Sequence, residues 1–389
     1  MTEQCHRSSP RLVELFISFL RLGAVSFGGP AMVAYIKALA TVKKKWLSED
    51  EFKQGVALCQ AVPGATAMQC AAFVGLRTRG LPGALATYIG FGLPAFVLML
   101  GFSMAYQHAV KLDIVTSILS GLRAIVVAMI ANSAWTFIHS SVKRPKEAVI
   151  AAAASLLFLV SSNPFLIVAA AGLSGTLWLR GKKQETLRQS NQSNQKTFRS
   201  MASIAAFGCA LLAVLFIFDR QLLSIGLMMM KVDLFAFGGG FASVPLMYQE
   251  IVETNRWMSA SMFMDGIALG QVTPGPIVIT ATFAGFQIAG VLGAMVSTVC
   301  IFLPSLLMVV SFDPWFSRFQ RSDRFQGAIR AFVLSFVGLL VSVTFRFAWA
   351  TPWTIHSAVI GGAALFALLY KVDIVWVVLG GAAVSALIL

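Results

Sequence analysis

Apolar residues in this chain run in long unbroken blocks, not in the alternating or one-sided patterns of water-facing strands and helices. Stretches near residues 81–107, 114–139, 201–218, 290–311, 327–349 and 353–370 are each about the ~20 residues that a bilayer-crossing helix needs, and the alternation of a β-barrel is absent. The pattern predicts an all-α fold, a polytopic membrane helical bundle. Segments 52–62 and 65–77 are too short to cross alone and read as a re-entrant hairpin, as do residues 12–40 with their break at Gly28-Gly29-Pro30. Pairs at 147–162 and 164–180, with the later counterparts of all these pieces, bring the expectation to about 13 membrane segments. Residues 12–20 resemble a signal-peptide core, but Glu14 interrupts the run, Arg21 ends it and no small-residue cleavage pattern follows, so they are expected to be a mature helix.

The breaks recur. Phe27-Gly28-Gly29-Pro30 and Val62-Pro63-Gly64-Ala65 return about 210 residues later as Phe237-Gly238-Gly239-Gly240 and Thr273-Pro274-Gly275-Pro276. The register extends to Arg21 with Lys231, Trp46-Leu47-Ser48 with Trp257-Met258-Ser259, Gln60 with Gln271, and Leu93-Pro94 with Leu303-Pro304; Arg123 pairs with Arg330 after a small gap. The expected organisation is a first repeat over 1–180, a polar linker over 181–200, an extra helix over 201–218 and a second repeat over 219–389. Paired repeats with interrupted helices are how many transporters build a substrate site at mid-membrane.

Composition strengthens the membrane reading: 58% of residues are hydrophobic, 12% are charged and the mean hydropathy is +0.80. The net charge of +14 points to nucleic acid in a soluble protein, but here the basic residues fall in short loops and the linker, as cytoplasmic loops do. Through residue 200 there are 21 basic and 8 acidic residues, against 9 and 8 afterwards. Lys43–Lys45, Arg77, Arg79 and Lys143-Arg144 therefore mark a cytoplasmic side. The single helix at 201–218 then starts the second repeat from the opposite face. The expectation is an inverted-topology repeat in a cell inner (plasma) membrane, N-terminus cytoplasmic and C-terminus outside.

Half-helices beginning near residues 31, 65, 241 and 276 would aim their N-termini, with unpaired N–H groups and partial positive charge, at the membrane interior. That geometry favours an anion, although glycines also permit close helix packing and prolines kink helices. Arg21 and Lys231 lie in apolar sequence shortly before the glycine breaks, and Arg123 and Arg330 form a second matched pair. Cations there either face a cavity or partner, as Lys231 could with Asp233, or snorkel to the interface. Gln60, Gln271 and Thr273 are candidate donors to oxyanion oxygens, and ordinary helix capping explains them equally. Glu14, Asp233 and Asp265 are candidates for proton coupling. No metal site or cofactor is expected: the five cysteines are scattered with no CxxC pair, and the four histidines are far apart. An enzyme lacks its clustered groups, whereas a channel-like anion pore stays open as an alternative to a transporter.

At these residues the chain resembles the chromate ion transporter family in its long, two-domain form. Arg21-Leu-Gly-Ala-Val-Ser-Phe-Gly-Gly-Pro30 is similar to its first signature, Ala57-Leu-Cys-Gln-Ala-Val-Pro-Gly64 with Gly75-Leu-Arg-Thr-Arg-Gly80 to its second, and Gly270-Gln-Val-Thr-Pro-Gly-Pro276 to the matching part of domain two. Two positions depart from the pattern: Ala65 follows Pro63-Gly64 where the family has a second proline, and Gly240 stands where domain one has Pro30. The resemblance implies export of chromate, with chromate resistance, and sulfate as the competing analogue. The partners expected are these anions and the lipid bilayer, with a homo-oligomer open and no nucleic acid.

Overall fold

The structure, a computed structural model, describes residues 10–27, 29–160, 163–179, 194–313 and 322–388. Among them every regular element is helical. The first half contributes α1 (Leu12–Val25), α2 (Gly29–Lys37) continued by a π-helical turn (Ala38–Lys43), α3 (Glu49–Ala61), α4 (Thr66–Ala109), α5 (Asp113–Ser141), α6 (Pro145–Val160) and α7 (Pro164–Trp178). After α8 (Asn194–Phe218) come α9 (Arg220–Phe235), α10 (Gly240–Tyr248) with its own π-helical turn (Gln249–Thr254), and α11 (Ala260–Val272). A 3-10 turn (Ile277–Ile279) leads into α12 (Thr280–Phe312), followed by α13 (Asp323–Ala350), α14 (Ile355–Leu369) and α15 (Ile374–Ile388).

Element for element, α9–α15 repeat α1–α7, and α8 has no counterpart. The duplication reaches backbone detail. Lys45 and Arg256, each just after a π-helical turn, have φ of 51° and 53°. α4 bends at Arg79 (φ −139°, ψ 18°) and Gly80 (φ 63°, ψ −150°), and α12 bends the same way at Ala289 (φ −142°, ψ 30°) and Gly290 (φ 62°, ψ −151°). At these points the chain folds back, so the short arm 65–77 and the span 81–107 are separate helical arms lying side by side: Thr87 Oγ1 donates to Ala71 O at 2.7 Å, and in α12 the Thr282 and Thr298 hydroxyls meet at 2.7 Å. α8 begins at Asn194, ahead of the apolar stretch from 201, and residues 180–193 of the expected linker lie outside the described residues. Hydrogen bonding propagates a helix past the end of its apolar stretch at little cost.

Among the described residues five helices are long and apolar enough to cross a membrane: α4, α5, α8 from Arg199, the Ile277–Phe312 stretch and α13. α7, α14 and α15 are apolar but shorter. Outward-facing side chains such as Val160, Leu177, Trp349 and Leu387 are more than four-fifths exposed, at 88%, 82%, 93% and 86%. A surface of that kind needs lipid around it. The chain is a multi-pass helical membrane protein.

Packing between the halves is reciprocal. α6 and α7 of the first half lie against α13 of the second, α14 and α15 of the second lie against α5 of the first, and α4 crosses α12. Small residues let these helices approach closely: a Cβ on Gly175 of α7 would collide with the carbonyl of Gly327 on α13. Among the described residues three ion pairs join one half to the other: Arg77–Asp313 at 2.6 Å, Arg123–Asp265 at 2.7 Å and Arg330–Glu147 at 2.7 Å. The position equivalent to Arg77 is Gln287 and that equivalent to Asp313 is Ser103, and these two also meet, Gln287 Nε2 donating to the Ser103 carbonyl at 3.5 Å. One contact thus occurs twice, charged at one place and neutral at the other.

Replacing one member of a buried ion pair leaves its partner uncompensated, at a cost of about 3–5 kcal/mol, whereas an apolar replacement of both is far milder. Asp265→Ala is accordingly expected to destabilise the protein strongly and the double variant R123M/D265L much less, as read by thermal unfolding in detergent. Equal losses for the two would show that the pair is not energetically coupled.

Candidate anion site at the helix breaks

Glycine and proline interrupt the backbone ladder at four places, and the structure brings these interruptions together in crossed pairs. Gly64 N–H donates to the Ala236 carbonyl at 3.0 Å, and Gly275 N–H donates to the Ser26 carbonyl at 2.8 Å. The second break of each half is therefore bonded to the first break of the other. Gly64 (φ 116°) and Gly275 (φ 118°) share a left-handed conformation that side chains disfavour. A Cβ would also have no room: on Gly64 it would overlap Ser305 Oγ, and on Gly275 it would lie 2.6 Å from Ala95 Cβ. Ala95 and Ser305 are equivalent positions, each following the proline inside its long helix. The crossing is thus matched in backbone and in packing.

Among the described residues, helix starts at these breaks lack side-chain caps, as do those of α1 at Arg11 and α5 at Leu112, whereas six others are capped. α3, α7, α9, α11, α13 and α14 are capped by Ser48, Asn163, Asp219, Ser259, Ser322 and Thr354 respectively. Ala65 before α4 and Gly239 before α10 provide no side-chain cap, nor does Pro276 before the 3-10 turn. These starts keep the partial positive charge of a helix N-terminus, which favours an anion, although Ala242 N–H already donates to Gly239 O and Ile279 N–H to Pro276 O, each at 2.9 Å. Among the described residues, six buried side-chain polar atoms have no hydrogen-bond partner; besides Arg77 Nε and Glu147 Oε1, four belong to residues close to the breaks in the chain, Ser26 Oγ, Gln69 Oε1, Ser243 Oγ and Gln271 Nε2. Two hydroxyls and an amide N–H among them are donors, and a buried donor with no acceptor costs about 1–3 kcal/mol.

The other expected site residues fall into several groups. Gly29 and Pro30 open α2, and Gly28 lies outside the described residues. Pro63, Gly64, Pro274, Gly275 and Pro276 form the second breaks, and Gly238 and Gly239, with φ of 110° and 88°, lead into α10 at Gly240. Pro63 O is engaged by Gln69 Nε2 at 2.6 Å. Gln60 is exposed, unlike Gln271 with its buried amide nitrogen. Thr273 Oγ1 donates to Leu269 O at 2.8 Å, the ordinary capping use of that side chain.

Among the charged candidates, Arg21 is exposed on α1 with no ion pair to another described residue. Lys231 does not pair with Asp233: its Nζ lies 3.2 Å from Glu250 and 3.7 Å from the centre of the Phe165 ring. Neighbours in sequence two positions apart point to different sides of a helix, which is why the local pairing fails. Arg123 and Asp265, expected to serve substrate and protons separately, hold each other through Nε to Oδ1 at 2.7 Å and Nη2 to Oδ2 at 2.8 Å, with Tyr106 Oη donating to Oδ2 at 2.9 Å. Arg330 is occupied by Glu147, and Glu14 makes a surface pair with Lys44 at 2.8 Å. Asp233 stands apart, buried and bonded only to Ser305, N–H and Oγ–H both donating at 2.7 Å to Oδ2.

Sequence reading missed Ser26, Gln69, Ser243, Ser305 and the acids Glu147 and Asp313. Ser26 lies inside the first signature and was legible as a polar residue at a break; the others carry no signal until their partners are known. A cavity of about 620 Å³ opens between α4, α8 and α12, walled by Met68, Tyr88, Phe96, Phe207, Met295 and Phe302 among others. No charged side chain lines it, so it suits a lipid chain and not an anion. Among the described residues no cluster of three or more metal-ligating side chains occurs.

The family model of the chromate transporter matches the chain twice, over residues 13–176 and 223–386. An uncharacterized transporter of Methanocaldococcus jannaschii, MJ0718, is 39% identical over 94% of this chain and 91% of its own length. The chromate transport protein of Cupriavidus metallidurans is 32% identical over 83% of this chain and 78% of its own. A probable chromate transport protein of Synechococcus elongatus is 28% identical over 85% and 82%. No solved structure matches. Two family matches on two equivalent sets of helices, with the breaks at corresponding places in both, show that the chain belongs to the chromate transporter family.

Proposed function

We propose that this chain is a secondary transporter that exports chromate across the cell's inner membrane by alternating access, and so confers chromate resistance. The observation that carries the reading is the crossed junction of the four breaks, where uncapped helix N-termini and unpartnered donors converge between the two repeats. Chromate is a tetrahedral dianion whose oxygens only accept hydrogen bonds, which matches a site offering N–H and O–H groups. Arg21 on α1 and Lys231 on α9, the helices that lead into the first break of each repeat, are the candidate neutralising charges, Lys231 after release from Glu250.

The two repeats are read as inverted. Between the equivalent positions Arg77 and Gln287, the long crossings are the arm of α4 after its kink, α5 and α8, an odd number. α6, with 16 residues, spans about 24 Å at 1.5 Å per residue, short of the ~30 Å hydrocarbon core. With α7 it forms an excursion that returns to its starting face. The proposed domain boundaries follow: a first repeat to residue 180, then linker and α8, then a second repeat from residue 219. The pseudo-twofold axis then lies in the membrane plane, the N-terminus is cytoplasmic and the C-terminus is outside. Rocking one repeat against the other exposes the junction to each side in turn.

Export is the energetically easier direction. Moving a dianion out of a negative interior through 100 mV releases about 4.6 kcal/mol, twice the value for one charge. That corresponds to roughly a 10³-fold concentration ratio.

Three outcomes are expected. Inside-out vesicles containing the protein should take up labelled chromate saturably, with excess sulfate competing; absence of protein-dependent uptake under an imposed potential would redirect the substrate to another oxyanion, and uptake linear in concentration would favour a pore. Arg21→Gln is expected to abolish that uptake at normal expression, and normal uptake would remove Arg21 from the site. Cysteines at the equivalent exposed positions Lys146 and His356 should be labelled by an impermeant reagent from opposite faces, and labelling of both from one face would refute the inversion.

A further inference from the structure

Asp233 is 1% exposed and sits near the end of α9. Its carboxylate accepts hydrogen bonds from Ser305 N–H at 2.7 Å and from Ser305 Oγ–H at 2.7 and 2.8 Å. Both donors are neutral, and no ion pair reaches it among the described residues. The groups facing it can be stated element by element. α4 brings Tyr88, whose hydroxyl donates to Phe302 O at 2.7 Å. α12 brings Ser305, while its Cys300 faces Gly226 earlier on α9. Tyr248 of α10 packs on Phe263 and Phe347, Cys209 of α8 is exposed, and Lys231 on α9 itself is held by Glu250. None of these supplies a positive charge. An isolated carboxylate at this depth in a membrane protein is costly, and a bound cation removes the cost.

A second observation comes from Gln69. Its side chain is fully buried, its amide nitrogen donates to Pro63 O at 2.6 Å, and its amide oxygen has no partner. A Cβ on Gly64 would lie 2.9 Å from Gln69 Nε2 and would overlap Ser305 Oγ. The Ser305 hydroxyl, bonded to Asp233, and the Gln69 amide thus flank the same point beside Gly64. A carboxylate, a hydroxyl and an amide carbonyl are hard oxygen ligands, and a single acid suits a single positive charge.

The duplicated fold contains its own control. The positions equivalent to Asp233 and Ser305 are Gly23 and Ala95, and there α1 packs directly on the α4 backbone, a Cβ on Gly23 colliding with the Phe91 carbonyl. The same helix crossing closes with no polar group, so packing does not require the acid.

We propose that Asp233, Ser305 and Gln69 form a binding site for one monovalent cation, a proton or Na⁺, beside the Gly64 break. The site rests on the oxyanion-transport reading and gives it a second ligand, one per molecule because the other repeat lacks the acid. Since Ser305 and Gln69 both pack on Gly64, whose N–H bridges to the opposite repeat, occupancy of the cation site bears directly on the junction that moves.

The test uses the purified full-length protein in liposomes, with two measurements side by side: exchange of labelled for unlabelled chromate, and net chromate movement driven by an imposed pH gradient or an imposed Na⁺ gradient. Wild type is expected to respond to one of the two gradients, which identifies the cation. Asp233→Asn is expected to keep exchange and lose the gradient response. The double variant D233G/S305A, which recreates the Gly23/Ala95 pair, should do the same and serves if the single variant fails to fold. A wild-type gradient response in either variant overturns the proposal. If wild type shows no chromate exchange, the transport reading itself has failed. The cation site is then read by thermal unfolding in detergent: a midpoint dependence on Na⁺ or pH that D233N lacks supports it, and identical dependence in both proteins overturns it.

Discussion

Two backbone hydrogen bonds organise this molecule. Wherever glycine and proline interrupt a helix, N–H and carbonyl groups lose their ladder partners, and deep in an apolar protein each unpaired group costs about 1–3 kcal/mol. Here the halves satisfy each other: Gly64 N–H goes to Ala236 O and Gly275 N–H to Ser26 O. That exchange demands the left-handed glycines and fixes how closely α4 and α12 approach. It also places small residues, Ala95 and Ser305, against the two turns. A break that is a defect in one repeat alone becomes a bonded joint when two repeats meet. Side-chain atoms left without a partner beside the breaks include the donors Ser26 Oγ, Ser243 Oγ and Gln271 Nε2, which a small anion can use, and the acceptor Gln69 Oε1, which it cannot.

On this matched frame the side chains are not matched. Arg77–Asp313 has Gln287–Ser103 as its counterpart, and the Asp233–Ser305 pair has Gly23 and Ala95. The arginines Arg123 and Arg330 are equivalent in position, yet one finds its acid on α11 and the other on α6. Because backbone and small-residue packing already hold the crossing together, polar chemistry can differ between the halves without disturbing the fold.

Much of the frame was legible in the sequence for a simple reason: glycine–proline clusters inside apolar runs are rare, and their recurrence in the same order exposes the duplication. Helix α8 was legible as the unpaired apolar block. The breaks at Arg79–Gly80 and Ala289–Gly290 were legible as gaps between segments, but the packing of the two arms on each other was not, because hydropathy carries no information on the angle between consecutive helices. Charge pairing was the least legible part. Asp265 lies far from Arg123 in sequence, and Lys231 with Asp233 two residues away was the tempting local answer, whereas helix geometry turns them apart and Glu250 takes the lysine. Ser26, Gln69 and Ser243 could not be singled out either. Serine in a membrane helix commonly bonds its own backbone, as Ser103 Oγ does with Met99 O at 2.7 Å, and only the assembled junction reveals which polar atoms are left over.

The three ion pairs that join the halves have a bearing on how the protein is made. Arg77, Arg123 and Glu147 belong to the first repeat, while Asp313, Asp265 and Arg330 belong to the second. A ribosome delivers the first three to the membrane before any of their partners exists. Through that interval the first repeat carries unneutralised charges and half-finished breaks, so it is poorly suited to settle into a closed bundle of its own. The same vulnerability protects the final product, because α5 is left waiting for α14 and α15 and α6 for α13. Assembly therefore becomes an encounter between two incomplete halves, in which early arrival is kept from turning into early commitment.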